Sequence, residues 1–101
     1  MPYIPGASTT GYTTADVQMV ATGRQVRVFN MHIISTGTVA VVDLKTGGSG
    51  GTIRIQQTGA AINTGSNFNY GTEGVVFPSG LYVNVDGNTT SVSITYAVEL
   101  A

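Results

Sequence analysis

The chain reads as all-β: an antiparallel two-layer β-sandwich, jelly-roll-like, of seven to eight strands, with an extended N-terminal arm. Three observations predict this. Thirteen Val, fifteen Thr, five Tyr and three Phe among 101 residues supply the β-branched and aromatic side chains that suit a pleated, half-buried surface. Leu81-Tyr82-Val83-Asn84-Val85 and Ser91-Val92-Ser93-Ile94-Thr95-Tyr96-Ala97-Val98 alternate apolar with small or polar residues at the strand period of two. Fourteen Gly and six Asn supply frequent turns, while Ala, Leu, Glu and Lys, the usual fabric of helices, are scarce or scattered. The length is that of one domain.

Residues 1–14 form the arm. Pro2 and Pro5 lock φ and bias their predecessors toward extended conformations. Tyr3, Ile4 and Tyr12 are too apolar for a solvated tail, so the arm lies on its own domain or on a neighbour. The sandwich takes residues 15–101. Its first strand is 16–22, with Val17, Met19 and Ala21 on one face. Gly23 turns the chain into the longest strand, 24–35, whose alternation changes phase: Val26 and Val28, then Phe29, Met31 and Ile33. Such a one-residue change is what a β-bulge produces.

After Thr36-Gly37, residues 38–45 place Val39 and Val41 on the core face. Gly47-Gly48-Ser49-Gly50-Gly51 is a hairpin loop leading to a short strand, 52–57. Residues 58–74 are rich in turns, with Phe68 and Tyr70 in a short strand. Residues 74–78 read as an edge strand, because Pro78 cannot donate to a ladder. Residues 81–85 and 91–100 close the domain as a hairpin around Asp86-Gly87-Asn88. The expected core is Val28, Met31, Ile33, Val39, Val41, Ile53, Ile55, Phe77, Leu81, Val83, Val85, Val92, Ile94, Tyr96 and Val98.

Four Lys and Arg, five Asp and Glu, and one His leave little to gather into a reactive or charged site. A net charge of −1 provides no field for nucleic acid or an anionic membrane, and weak repulsion favours association. Without Cys there is neither a disulfide framework nor thiolate chemistry. No apolar run approaches the ~18 residues of a membrane span, and the N-terminus lacks the pattern of a signal peptide. The expectation is a soluble chain made in a cytoplasm.

Candidate chemistry is sparse. His32 could serve as a base or pH switch, but alternation places it outward beside the inward Met31 and Ile33. Asp16, Asp43, Glu73, Asp86 and Glu99 form no Ca²⁺-loop pattern, and Asp86 falls at a turn where its side chain commonly bonds local backbone. The glycine loop lacks the Lys-Ser or Lys-Thr and the following helix of a phosphate-binding loop. Arg24, Arg27 and Arg54 are too few for much phosphate affinity and fit interface contacts better. Asn88-Thr89-Thr90 is a chance match to a glycosylation sequon. No catalytic residue, cofactor or metal is expected.

One resemblance adds to this reading. Gly74-Val75-Val76-Phe77-Pro78-Ser79-Gly80-Leu81-Tyr82-Val83-Asn84-Val85-Asp86-Gly87, followed by Ser91-Val92-Ser93-Ile94-Thr95-Tyr96, resembles the closing hairpin of small β-sandwich virion proteins of tailed bacteriophages. Arg27-Val28-Phe29-Asn30-Met31-His32-Ile33 and Val39-Ala40-Val41-Val42-Asp43 are similar to their earlier strands, so residues 24–97 are covered. The resemblance implies a capsid cement or decoration protein, or a head-fibre or tail-associated part, with no catalytic residues to carry over.

The expected function is therefore a non-enzymatic capsid decoration protein located in the virion. It would self-associate as a homotrimer and bind the phage major capsid protein, with neither nucleic acid nor membrane as partner. Tyr3, Ile4, Pro5, Tyr12, Arg24 and Arg27 are the candidate contacts. A tail-, neck- or fibre-associated component and a carbohydrate-binding module are the alternatives. A hydrolase is disfavoured because nothing supplies a nucleophile beside a base.

Overall fold

In the computed structural model, which describes residues 8–61 and 65–99, the alternating segments become nine strands. They are β1 (Thr9–Thr13), β2 (Val17–Val20), β3 (Val26–Ser35), β4 (Ala40–Thr46), β5 (Thr52–Gly59), β6 (Ser66–Asn69), β7 (Val75–Phe77), β8 (Leu81–Val85) and β9 (Thr89–Val98). A five-stranded sheet runs β1-β9-β3-β6, with β7 also on β3, and a four-stranded sheet runs β2-β8-β4-β5. Every pairing is antiparallel. The chain changes sheet at each connection except β4–β5 and β6–β7, which is jelly-roll winding.

Two expectations need correction here. β8 and β9 do not form a hairpin: they lie in different sheets, and Asp86-Gly87-Asn88 carries the chain across the sandwich. A local turn signal specifies a reversal but not the layer the next strand joins. In addition, the second half of the arm belongs to the sandwich. Residues 9–13 pair with β9 from Thr9↔Tyr96 to Thr13↔Val92, so the domain begins before residue 15. Tyr3, Ile4 and Pro5 lie outside the described residues.

The bulge expected in the longest strand is present. The register of β3 against β9 slips between Val28 and Asn30, leaving Phe29 as the extra residue. Val26 and Val28 before it, and Met31 and Ile33 after it, are all fully buried. Gly74 fits against this bulge, where a Cβ would stand 2.6 Å from the Val28 carbonyl oxygen.

The inner faces meet in a continuous apolar layer that includes Leu44, Phe77, Leu81, Val83, Val92 and Ile94, all at 0% exposure. Burying each such side chain contributes about 1.5–3 kcal/mol. Val20, Val26, Ala40, Val42 and Leu44 join this core although the sequence did not mark them. Val85, Tyr96 and Val98 pack against it partly buried.

Val39, Val41 and Ile53 belong to the other phase. On β4 the inward residues are Ala40, Val42 and Leu44, leaving Val39 45% exposed and Val41 half-buried on the outer face. A second bulge explains Ile53. Leu44 pairs with Ile55 and Lys45 with Ile53, so Arg54 is extra, and Ile53 emerges beside Lys45 while Ile55 stays inside. β2 shows a similar slip between Gln18 and Val20, which makes Val20 rather than Val17 the buried residue.

Adjacent valines on β4 test the phase directly. Val42→Ala should cost about 2 kcal/mol or more through lost burial and a residual cavity. Val41→Ala should cost under about 1 kcal/mol. Urea titrations of the two variants measure the difference, and equal losses would contradict this phase.

Candidate interaction surfaces

The few charged groups are largely spent on backbone and on one another. Asp16 Oδ1 accepts from the Val85 N–H at 2.8 Å, tying the β1–β2 corner to the end of β8. Asp86 accepts from the Val41 N–H (2.9 Å), the Asn88 N–H (3.1 Å) and the Thr89 hydroxyl (2.9 Å), fastening the β8–β9 crossing to β4. The Asn88 amide donates to the Val39 carbonyl at 3.2 Å beside it. Desolvation pushes the Asp86 pKa upward, but the hydrogen bonds from Val41, Thr89 and Asn88 together outweigh it and hold the carboxyl below its ordinary value.

At the opposite end of the long strands, Arg27 Nε donates to Glu99 Oε1 at 2.5 Å, and Arg27 Nη1 donates to the Glu73 carbonyl at 3.0 Å. Gln25 donates to the second Glu99 oxygen. Asp43 accepts from Gln56 across β4–β5, and Lys45 donates to the Ser49 carbonyl in the glycine loop. Arg24 is exposed in the turn before β3, where its carbonyl accepts from the Gly80 N–H at 2.6 Å.

Register across the five-stranded sheet sets Tyr12, Ser93, His32 and Asn67 in one outward row, with Thr10, Thr95, Asn30 and Asn69 in the next. His32 is outward, as the alternation predicts. Its Nδ1 lies 2.6 Å from Asn67 Oδ1, and its Nε2 lies where a Cβ on Gly65 would stand only 2.4 Å away. Both ring nitrogens thus face the β6 side, away from Ser93, so the juxtaposed serine and histidine are not disposed as nucleophile and base. Among the described residues, no three His, Cys, Asp or Glu side chains gather where they could hold a metal ion.

The outer face of the four-stranded sheet carries a row of Gln18, Tyr82, Lys45 and Ile53, flanked by Asn84, Asp43 and Gln56. One side of the sandwich is closed by side chains: Arg54 Nε donates to the Val76 carbonyl at 3.2 Å, and the Ala60 N–H donates to Ser66 Oγ at 3.0 Å. Tyr70 packs on the same side. Burial pushes its phenol to about 12; the neighbouring Gln57 side chain acts the other way, yet the hydroxyl has no partner at hydrogen-bond geometry. The raised value agrees with the unpartnered hydroxyl, so burial governs.

The opposite side is bounded by β1 and β2. Tyr12 on β1 is 67% exposed, and Val17 on β2 is 37% exposed. Gly11 faces inward, where a Cβ would lie 2.4 Å from Met19 Sδ, so the absence of a side chain lets Met19 fill the gap between the sheets. Tyr12 is therefore the one candidate contact on this side. Arg27 is instead taken up by Glu99 and the 71–74 turn, and Arg24 stands in a separate turn. The structure does not gather the three into one patch.

No protein-family model matches this chain, and no curated protein matches it.

The Asp86 clip makes a prediction with a definite sign. Its carboxyl is held below the unfolded value of about 3.8. The stabilisation from its charged form is therefore present at neutral pH and is lost as pH falls below that value. Asp86→Asn should cost about 1–3 kcal/mol at pH 7, since the substituted amide cannot accept from both backbone N–H groups on separate oxygens. The gap between wild type and variant should narrow in acid, as measured by thermal melts from pH 7 to pH 2.5. A gap that stayed constant would refute the clip.

Proposed function

We propose that this chain is a non-enzymatic structural protein of a tailed-bacteriophage virion, acting as a capsid decoration protein that self-associates and covers the major capsid lattice. The observation that carries the reading is the use of charge. Asp16, Asp43, Asp86 and Glu99 each hold one strand or turn to another, and the outward rows of the five-stranded sheet are left to Thr, Ser and Asn beside Tyr12 and His32, with no Asp, Glu, Lys or Arg among them. A surface of neutral hydrogen-bonding groups on a cysteine-free sandwich suits a part that must persist in changing salt, because salt screens ion pairs more than neutral contacts. The resemblance across residues 24–97 supports the same reading, and jelly rolls recur among viral capsid domains.

A tail-, neck- or fibre-associated component is the neighbouring reading, and it differs in stoichiometry. Glycan binding is a second reading. It is favoured by Tyr82, which stands on an outer face between Gln18 and Lys45 in register, with Asn84 and Asp43 in the adjoining row. A glycan array would show hits that Tyr82→Ala abolishes if that reading held.

The capsid reading is tested on purified particles. Copies should match the number of shell subunits rather than the few positions on the tail axis. Removal of residues 1–7, which takes Tyr3, Ile4 and Pro5 but spares β1, should leave cooperative unfolding intact and weaken binding to undecorated capsids by tenfold or more (about 1.4 kcal/mol). Unchanged capsid affinity would remove those residues as contacts, and a tail-axis copy number would replace the decoration role. Cutting at residue 12 is unsuitable, because it removes a strand of the sheet.

A further inference from the structure

We infer that β1 is a strand-pairing edge, and that two copies of this chain join along it, antiparallel, about a two-fold axis at Gly11. The inference begins with how the other sheet edges are guarded. β5 carries a bulge at Arg54, whose guanidinium reaches across to the Val76 carbonyl. β2 carries a bulge, and its Gln18 amide turns back to the Val20 and Gly47 carbonyls, 2.9 Å each. β6 and β7 span four and three residues, and Pro78 follows β7. Charges, prolines, bulges and brevity are the devices by which proteins keep an edge from pairing with another chain.

β1 has none of them. Its five residues, Thr9-Thr10-Gly11-Tyr12-Thr13, are uncharged and pair with β9 in unbroken register. Among the described residues no strand lies on its other side. The segment is also complementary to itself. Rotation about Gly11 sets Thr10 against Tyr12 twice and Thr9 against Thr13 twice, with no like charges opposed, and aromatic and Thr cross-strand pairs are favourable.

Residues with the same facing then meet: Thr9, Gly11 and Thr13 inward, Thr10 and Tyr12 outward. The two five-stranded sheets would continue into one, and the exposed Tyr12 would gain cover from the second copy. A net charge of −1 opposes this contact weakly. An isologous edge of this kind closes as a pair, in place of the expected trimer. The pairing does not depend on the virion role, since a chain without capsid affinity would still dimerise.

Analytical ultracentrifugation of the full chain and of two charge variants tests it. The wild type should sediment at twice the chain mass. Thr10→Lys/Tyr12→Lys, and separately Thr10→Glu/Tyr12→Glu, set like charges against each other twice, and each should halve the mass while keeping a cooperative melt. An equimolar mixture of the two should recover the dimer, now with opposite charges in register. Overturning results are a monomeric wild type, an oligomer whose mass the lysine pair leaves unchanged, or a mixture that stays monomeric. If either variant fails to fold, Thr10→Cys/Tyr12→Cys takes its place in this cysteine-free chain. Opposed Cβ atoms on antiparallel strands lie about 4.5–5.5 Å apart, near enough to a disulfide's reach for small adjustments to close the bond. Oxidation should then give a covalent dimer, and a chain that remains uncross-linked overturns the pairing.

Discussion

The pairing of β3 with β9 is the constraint from which the other strands take their places. Both strands are ten residues long, and their ladder runs from Val26↔Val98 to Ser35↔Thr89. β1 then adds to the free edge of β9, while β6 and β7 share the free edge of β3 end to end. β3 could not bury one face along its whole length without a correction of phase, whereas Val92, Ile94, Tyr96 and Val98 of β9 keep one phase throughout. The bulge at Phe29 provides that correction, letting Val28 and Met31 both enter the core although three positions separate them. Were Phe29 paired regularly instead of bulged, everything after Val28 would change face and present Asn30 and His32 to the core across the sandwich.

This constraint also explains what is legible in the sequence. The Phe29 bulge can be read because its apolar residues visibly break step. The Arg54 bulge cannot, since Ile53 and Ile55 keep perfect alternation across it and only the pairing with β4 shows that one of them is turned out. On β4 both phases are apolar, and the smallness of Ala40 disguises the inward one. The available signal was Asp43 and Lys45, which share their parity with Val39 and Val41 and so mark that face as the wet one. Layer assignment was beyond reach from Asp86-Gly87-Asn88, because a reversal within a sheet and a crossing between sheets begin with the same turn chemistry. The clips from Asp16 to Val85 and from Asp86 to Val41 were equally hidden, since each joins residues distant along the chain.

The same clips bear on how so charge-poor a chain holds its strands in place. A carboxylate accepting backbone N–H groups forms stronger hydrogen bonds than a neutral acceptor and fixes geometry as well. Placed at Asp16 and Asp86, two such groups anchor the ends of β8 and β4, where ladder bonds run out. Arg27 and Glu99 perform the matching task at the far end of β3 and β9, with their side chains only 17% and 11% exposed. A pair so sheltered is screened less than a surface pair, so it retains its grip in salt. Charge is thus concentrated at the ends of the long strands, and their outward faces remain nearly neutral.

Neutral faces and guarded edges have a joint consequence for association. A sandwich offers partners its faces or its edges. On the outer face of the five-stranded sheet, the rows from Tyr12 to Asn67 and from Thr10 to Asn69 present hydroxyl and amide groups with one imidazole, His32. Such groups are already well solvated, and a contact made through them gains little unless many are matched at once. An edge is different, because its backbone donors and acceptors come in fixed alternation and any uncharged strand of suitable length can satisfy them. Selectivity at an edge must then come from what is forbidden elsewhere. The bulges of β2 and β5, Arg54 over Val76 and Pro78 after β7 remove the competing edges, and β1 is left as the surface with one geometry to offer.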